Sequence, residues 1–328
     1  MNINEMYKQK LTTADEAVKL VEDGWRVIFP PAIGQPPTLM SALARRKDEF
    51  NFLELLVVID VYFTELMNIK KEDSIKIDYC MPIFSRKAIQ DGSQTYTPAR
   101  LSQIISFIDM GRLYQCAMLQ VSPMDEFGYF SMGTNCDFAL PVGKKAQKVI
   151  VQVNENMPRT FGRNLWHVSE VDAIVEDTVP LTCLPALPPN ETEKLIGQHI
   201  ADMIDDGACI QLGVGSMPNA VALCLEDKKD LGVHTEMMPD AIRVLWEKGV
   251  ITNRRKNFHP DLMLTSLAIG TEEMYKWLNN NPAIHFYPTD YILDPYIIGK
   301  NDNMICINSA LQVDLTGQVN AESMGYVQ

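Results

Sequence analysis

Two stretches, DGWRVIFPPAIGQPPTLMSAL at residues 23–43 and DGACIQLGVGSMPNAVALCL at residues 206–225, share one plan. Each begins with Asp-Gly after a helical pattern, continues with a short apolar run, and passes through a glycine- or proline-containing loop into another helical pattern. This order is typical of helix–strand–helix units. Because the match is short and such units are common, duplication and convergence both stay open. If the chain is duplicated, it has two related α/β domains, and the cleft between them is the expected site.

The same alternation of helix and strand signals runs along the whole chain. A capping-box pattern at residues 13–16 predicts one helix, and Thr97 followed by Pro98 predicts another that ends before Gly111. Further helices are predicted at residues 37–46, from 190, from 218, at 239–248 and at 271–279; strands at 26–29, 52–59, 74–80, 113–121, 148–153, 208–212, 231–234, 262–269 and 304–308; and a hairpin at 311–319. The alternation predicts an α/β fold with largely parallel, buried sheets.

Composition changes at residues 178–190, TVPLTCLPALPPN, which contain four prolines. Proline lacks an amide donor and disfavours helix before it, so this stretch is predicted to be a linker. We therefore predict an N-terminal domain at residues 1–183 and a C-terminal domain at residues 184–328.

Charge and cysteine usage limit the classes of partner. The 328 residues include 42 acidic and 29 basic side chains, a net charge of −13, which argues against a nucleic acid or an anionic membrane as partner. No apolar run reaches 18 residues, and the N-terminus does not resemble a secretory signal. Seven cysteines without a C-x-x-C pair favour a reducing, cytoplasmic location, and no Cys/His spacing predicts a metal site.

The strongest local signal is the loop that follows the strand at residues 208–212. Its residues Gly213, Val214, Gly215, Ser216 and Met217 lead into a helix. Glycines allow a ligand to approach backbone amides, and a helix N-terminus favours negative charge, so a phosphate or a developing oxyanion would fit there. A plain strand-to-helix turn is the alternative.

A second signal lies at the end of the short strand at residues 231–234. Glu236 follows this strand, at the position where open α/β sheets bind ligands, and could serve as nucleophile or base. Alternatively, Glu236 or Asp240 favours the N-terminus of the next helix. His234 is the histidine nearest to this signal, although a structural role is the simpler interpretation. The basic run at residues 254–256 is either a solvated surface or a phosphate contact.

Taken together, the residues resemble the acetyl-CoA hydrolase/transferase family of class I CoA-transferases. The similarity is most specific at residues 117–133, 151–180, 211–221, 233–240 and 308–325. It implies two open-sheet α/β domains of the CoA-transferase type, with Glu236 in an H-[TS]-E-M motif as the nucleophile. It also implies that the loop Gly213 to Met217 contacts coenzyme A and the oxyanion.

The resemblance further implies an acyl-CoA:carboxylate CoA-transferase acting on acetate, butyrate or 4-hydroxybutyrate through a glutamyl-CoA thioester. Coenzyme A would be a substrate, with no permanently bound cofactor or metal, and the protein a homo-oligomer. An acyl-CoA hydrolase is the alternative. Relatives carry a second glycine-rich loop beyond the segment at residues 321–325, so a C-terminally short, inactive CoA-binding chain is a further alternative.

Overall fold

The computed structural model describes residues 2–82, 84–185, 188–213 and 215–321. Its α-helices are α1 (Ile3–Lys10), α2 (Ala14–Ala17), α3 (Pro37–Arg45), α4 (Arg86–Gln90), α5 (Ser106–Asp109), α6 (Ala139–Gly143), α7 (Glu191–Asp202), α8 (Ser216–Leu223), α9 (Asp240–Glu247), α10 (Glu272–Leu278), α11 (Thr289–Ile292) and α12 (Pro295–Ile298). None of these described helices has both the length and the apolar character needed to cross a bilayer.

The strands are β1 (Arg26–Ile28), β2 (Leu53–Val57), β3 (Ile75–Tyr79), β4 (Thr95–Tyr96), β5 (Cys116–Val121), β6 (Tyr129–Ser131), β7 (Lys148–Val153), β8 (Phe161–Gly162), β9 (Leu165–His167), β10 (Ala173–Glu176), β11 (Cys209–Leu212), β12 (Gly232–Val233), β13 (Met237–Met238), β14 (Met263–Thr265), β15 (Leu267–Ala268), β16 (Ile284–Phe286), β17 (Met304–Ile307), β18 (Gln312–Val313) and β19 (Val319–Asn320). The α/β fold class with parallel sheets is confirmed.

The chain folds into two compact units. Unit 1 comprises Met1–Thr182, Leu278–Pro282 and Phe286–Tyr291, and unit 2 comprises Cys183–Trp277, Ala283–His285 and Ile292–Gln328. The two short returns of the chain to unit 1 were not part of the predicted domain boundary, which assigns everything after residue 183 to the second half.

Unit 1 is built on a seven-stranded sheet with the order β10-β7-β5-β1-β2-β3-β4, in which all neighbours are parallel. The chain runs outward from β1 on one side and from β5 on the other, so the order reverses between these two strands. All six residues of β5 are buried. β7 is likewise buried from its second residue on, and both strands are largely apolar without alternation, as is usual for parallel strands that are covered on both faces.

Unit 2 contains a smaller parallel sheet with the order β12-β11-β17. β11 pairs with β12 through Cys209 and Ile210, and with β17 along its whole length. A separate pair, β13 with β15, is also parallel. β18 and β19 form the predicted hairpin.

The Asp-Gly turns that begin the two similar stretches have the same hydrogen bonds. The amide of Gly24 donates to the carbonyl of Phe52 at 2.7 Å, and the amide of Phe52 donates to the Asp23 carboxylate at 2.9 Å. Gly207 and Lys229 repeat the first bond at 2.8 Å, and Lys229 donates to Asp206 at 2.8 Å. Both glycines have left-handed backbones, with φ of +78° and +79°, which favour glycine. The shared contacts support the repeat.

One predicted helix is wrong. Instead of a helix from Thr97 to Gly111, the chain forms a 3-10 turn at Leu101–Gln103 and the short α5. The Thr97 hydroxyl does not cap a helix, because it donates to the carboxylate of Asp78 at 2.8 Å. The strand predicted at residues 262–269 is divided into β14 and β15 at Ser266.

Candidate active site

The carboxyl edge of the sheet in unit 2 brings the two predicted signals together. β11 leads into the loop that begins at Gly213, and β12 leads into His234 and Glu236. β11 and β12 are parallel neighbours, and the amide of His234 extends the pairing by donating to the carbonyl of Ile210 at 3.2 Å. Ligands of open α/β sheets bind at this edge.

The main chain of Glu236 is held at three points. Its carbonyl oxygen accepts hydrogen bonds from the amides of Ser266 at 3.0 Å and Leu267 at 3.1 Å, and from the hydroxyl of Thr265 at 3.1 Å. One residue earlier, the amide of Thr235 donates to the carbonyl of Leu264 at 3.0 Å. The backbone at Glu236 is therefore fixed where the chain passes from β12 to β13.

The side chain of Glu236 is partly exposed and has no partner among the described residues. No described donor hydrogen-bonds to its carboxylate, and no described cation pairs with it. Burial raises the pKa of Glu236 above its usual value. A carboxylate that is poorly stabilised in this way is a better base and a better nucleophile than one held by an arginine or an amide.

The glycine loop offers backbone donors, although not all of its amides are free. The amide of Gly213 donates to the carbonyl of Ile307 at 2.8 Å, so this group already belongs to the sheet. Gly215, at φ +123° and ψ 179°, precedes the first turn of α8 in a conformation that only glycine adopts readily. Val214 lies outside the described residues.

The first turn of α8 supplies the remaining donors. No described residue accepts a hydrogen bond from the amides of Ser216 and Met217, as is usual for the first residues of a helix. The Ser216 hydroxyl bonds to the carboxylate of Glu193 on α7 instead, which lowers the pKa of Glu193. Ser216 and Met217 can therefore bind an anion through their backbone amides. Gly213 has no free amide to offer, and its role is the lack of a side chain.

Two residues at this edge were missed by the sequence analysis as site residues. Thr265 is fully buried, and it lies in the run LMLTSLAI at residues 262–269, which predicts an apolar strand without a site residue. Asn308 follows β17, and its amide exchanges two hydrogen bonds with that of Gln211, at 3.1 Å and 2.9 Å. A Cβ on Gly213 would lie 2.7 Å from the Asn308 side-chain oxygen. The polar residue directly after an apolar strand was the available signal for Asn308.

His234 is a structural histidine. It is buried, its Nε2 lies 2.8 Å from the carbonyl of Ile292, and its Nδ1 lies 3.4 Å from the side-chain nitrogen of Asn301. Burial lowers the pKa of His234, so the ring is neutral at pH 7. Within the described part of the chain, no three His, Cys, Asp or Glu side chains are grouped so as to hold a metal ion.

Unit 1 has a strained segment at the carboxyl ends of β1 and β2. Ala32 and Ile59 both have left-handed backbones, with φ of +52° and +53°, and the amide of Ala32 donates to the carbonyl of Ile59 at 2.8 Å. Buried amide side chains hold the loop: Asn135 donates to the carbonyl of Pro31 at 2.8 Å, and Gln120 to that of Ile33 at 2.7 Å. Such outliers, above all at a β-branched residue, often occur near functional sites.

Comparison with known proteins gives the family of this chain. The sequence model of the acetyl-CoA hydrolase/transferase N-terminal domain matches residues 1–185, and that of the C-terminal domain of the same family matches residues 270–328. The chain belongs to the acetyl-CoA hydrolase/transferase family, and the resemblance drawn from the sequence is confirmed.

Two curated relatives align with the full chain. A 4-hydroxybutyrate coenzyme A transferase from Clostridium kluyveri is 40% identical over 100% of this chain and 77% of its own length. A butyryl-CoA:acetate CoA-transferase from Anaerostipes caccae is 37% identical over 100% of this chain and 76% of its own length.

Solved structures show the same fold. The crystal structure of RipA from Yersinia pestis has a TM-score of 0.93 and 37% identity, covering 99% of this chain and 78% of that one. A 4-hydroxybutyrate CoA-transferase from Porphyromonas gingivalis has a TM-score of 0.81 and 35% identity, covering 96% and 77%.

Proposed function

We propose that this protein is an acyl-CoA:carboxylate CoA-transferase for short-chain acids, with Glu236 as its nucleophile. The observation that carries the proposal is the Glu236 carboxylate, which has a fixed backbone, a raised pKa and no partner among the described residues. The names of the relatives indicate the substrate class, namely acetate, butyrate and 4-hydroxybutyrate with their CoA thioesters.

The reaction follows ping-pong chemistry. A carboxylate oxygen of Glu236 attacks the acyl carbon of acyl-CoA, and the carbon–sulfur bond breaks to leave a mixed anhydride and CoA thiolate. The thiolate attacks the side-chain carbonyl carbon of Glu236, the anhydride bond breaks, and the first acid leaves as its carboxylate. A second carboxylate then reverses both steps on the resulting glutamyl-CoA thioester. Donor and acceptor are matched in energy, so a weak nucleophile suffices.

Each attack places negative charge on a carbonyl oxygen. Backbone amides aimed at that charge, such as those of Ser216 and Met217, stabilise it without reorganising. Gly215 leaves room for the thioester, because a Cβ there would meet no atom within 4 Å, whereas the missing side chain of Gly213 accommodates Asn308. Contacts to the rest of CoA supply binding energy that favours the transition state. The proposed chemistry uses coenzyme A as a substrate and does not call for a metal or a resident cofactor.

Intact-protein mass spectrometry tests the proposal. Mixing the protein with butyryl-CoA should add the mass of CoA, and borohydride should remove that adduct. E236Q should form none, while E247Q, which alters an exposed glutamate paired with Arg243, should form it normally. An E236Q protein that gains the adduct would overturn the role of Glu236.

The same adduct separates the alternatives. Acetate should discharge it much faster than water does in a transferase, whereas discharge at the same rate without acetate indicates an acyl-CoA hydrolase. A folded protein that binds CoA by calorimetry but forms no adduct indicates a CoA-binding chain without activity.

We also propose a cytoplasmic homo-oligomer. The buried cysteines Cys80, Cys116, Cys136 and Cys209 are free thiols, which supports a reducing compartment. Light scattering after size-exclusion chromatography tests the oligomer, and a mass near 37.0 kDa would contradict it.

A further inference from the structure

Lys256 is a buried cation that the proposed chemistry does not use. Its exposure is only 6%, whereas lysine is seldom buried without a partner of opposite charge. No carboxylate pairs with it among the described residues. Its ammonium instead donates to two main-chain oxygens, those of Val233 at 2.9 Å and Leu262 at 2.6 Å.

These two oxygens belong to the segments that hold Glu236. Val233 ends β12, three residues before Glu236, and Leu262 directly precedes β14. Beyond Lys256, the same two segments meet at an isolated bridge between His234 and Leu264. The carboxyl end of β14 supplies Thr265, and the next residues supply the amides that bind the Glu236 carbonyl. The Lys256 ammonium thus links the two segments at one end, and the hydrogen bonds to the Glu236 carbonyl link them at the other.

The side chain of Lys256 lies in a shaped slot. A Cβ on Gly232 would collide with the Cγ of Lys256, so glycine is required beside it. The side-chain oxygen of Asn253 accepts the amide of Val233 at 2.9 Å, and the amide of Lys256 donates to the carbonyl of Asn253 at 3.2 Å. Asn253 itself has a left-handed backbone, with φ of +58°. The backbone around Lys256 is therefore shaped to hold its side chain in one position, which indicates a specific structural role for this lysine.

We propose that Lys256 is a positioning residue for Glu236, holding β12 and the start of β14 together so that the Glu236 carboxylate stays in its reactive position. The proposal rests on the proposed function. Lys256 does not touch the reacting groups, and it acts through Val233 and Leu262. Since a displacement of about 1 Å can cost about 100-fold in rate, loss of this link should reduce catalysis more than binding.

The charge on Lys256 makes this support dependent on pH. Burial lowers its pKa to about 8, so charge-assisted bonds to the two carbonyls are complete below that pH and weaken above it. The titratable groups that face it are His234 directly after β12, His259 on its own loop and Cys209 on β11. The pKa values of both histidines are lowered and that of Cys209 is raised to about 11. Between pH 7 and 9, therefore, only Lys256 changes charge within this group.

The test compares the wild type with K256M, which keeps the length of the side chain and removes its donors, and with K256R, which keeps charge and donors. K248M is the matched control, because Lys248 is an exposed lysine of the same unit that pairs with Glu226. Rapid-quench formation of the Glu236–CoA adduct from butyryl-CoA gives the rate and the apparent KM between pH 6.5 and 9.5.

We expect K256M to form the adduct about 10- to 100-fold more slowly at pH 7 with KM changed less than about 3-fold. K256R should recover part of the rate, and K248M should match the wild type. The ratio of wild-type to K256M rates should fall as pH rises through about 8. A K256M rate equal to that of the wild type, or a ratio that does not change with pH, overturns the proposal.

Hydrogen exchange provides a second readout that does not need activity. The amides of Thr235, Ser266 and Leu267 should exchange faster in K256M, and unit 1 should be unchanged. If K256M does not fold, K256Q takes its place. If K256Q does not fold either, hydrogen exchange of the wild type is compared at pH 7 and pH 9, after correction for the intrinsic exchange rate. Faster exchange of the three amides at pH 9 would then support the role of Lys256. If the wild type forms no adduct, the proposed function fails, but unchanged exchange is what would refute the role of Lys256.

Discussion

The hydroxyl oxygen of Thr265 lies 3.1 Å from the main-chain oxygen of Glu236, and it lies 2.8 Å from that of Leu267. The single proton of one buried hydroxyl is therefore shared between two carbonyls, one of which belongs to the proposed nucleophile. Valine has the same shape and nearly the same volume as threonine, but it lacks the hydroxyl that donates these hydrogen bonds.

T265V should therefore form the Glu236–CoA adduct about 10-fold more slowly than the wild type and lose about 1 kcal/mol of stability, because the donor shared by these two carbonyls is removed. T265S keeps the hydroxyl and should retain most of the rate. Rapid-quench kinetics and urea denaturation measure both quantities. A T265V enzyme as fast as T265S would show that the amides of Ser266 and Leu267 suffice.

Glu236 should lower the stability of the protein that it serves. Burial raises the pKa of Glu236 in the folded state, so protonation of Glu236 stabilises the folded protein. This stabilisation is complete below about pH 4.5, the usual pKa, and is lost as the pH rises through the raised pKa. E236Q should therefore melt higher than the wild type at pH 7, by about 2 °C or more, and the difference should disappear at pH 4. Differential scanning calorimetry at both pH values provides the test, with E247Q as control. Equal melting temperatures at pH 7 would contradict it.

Asp137 should give unit 1 its own dependence on pH. It is fully buried, and burial raises its pKa to about 7 even though the amide of Ala139 donates to it at 2.8 Å. The stabilising protonation of Asp137 is complete below about pH 4, its usual range, and is lost as pH rises through about 7. D137N keeps an acceptor oxygen and cannot ionise, so its melting temperature should fall less than that of the wild type between pH 5 and pH 8. If the melting temperatures of the wild type and D137N change with pH in the same way, ionisation of Asp137 is not the cause of the pH dependence.

Gly215 should be required for the turn into α8. A Cβ meets no atom within 4 Å there, so the cost of G215A comes from φ +123° alone, about 1–3 kcal/mol. The turn sets the direction of the Ser216 and Met217 amides, so adduct formation should fall at least about 10-fold. S216A removes only the hydroxyl bonded to Glu193 and should stay within about 3-fold of the wild type. If S216A loses as much of the rate of adduct formation as G215A does, the Ser216 hydroxyl is required for the reaction, and the argument from the backbone amides is contradicted.

Local sequence patterns were sufficient for the central strands and for the position of Glu236 and the glycine loop at strand ends. They could not show which of 42 acidic residues lacks a partner, because pairing depends on contacts distant in sequence. Thr97 illustrates the same limit, since Asp78 takes the hydroxyl that would otherwise cap a helix. Thr265 and Lys256 were missed for the related reason that a threonine in an apolar run and a lysine in a basic run have no local sign of burial.

The paired turns at Asp23-Gly24 and Asp206-Gly207 have a consequence for the lifetime of the protein. Asp-Gly is a dipeptide prone to chemical ageing, because the glycine nitrogen can attack the aspartate side chain and close a succinimide ring. In both turns that nitrogen is engaged with a carbonyl, of Phe52 or Lys229, and the carboxylate accepts an amide from the same residue. Both partners of the ageing reaction are thus occupied, so isoaspartate should form there only after the turns open.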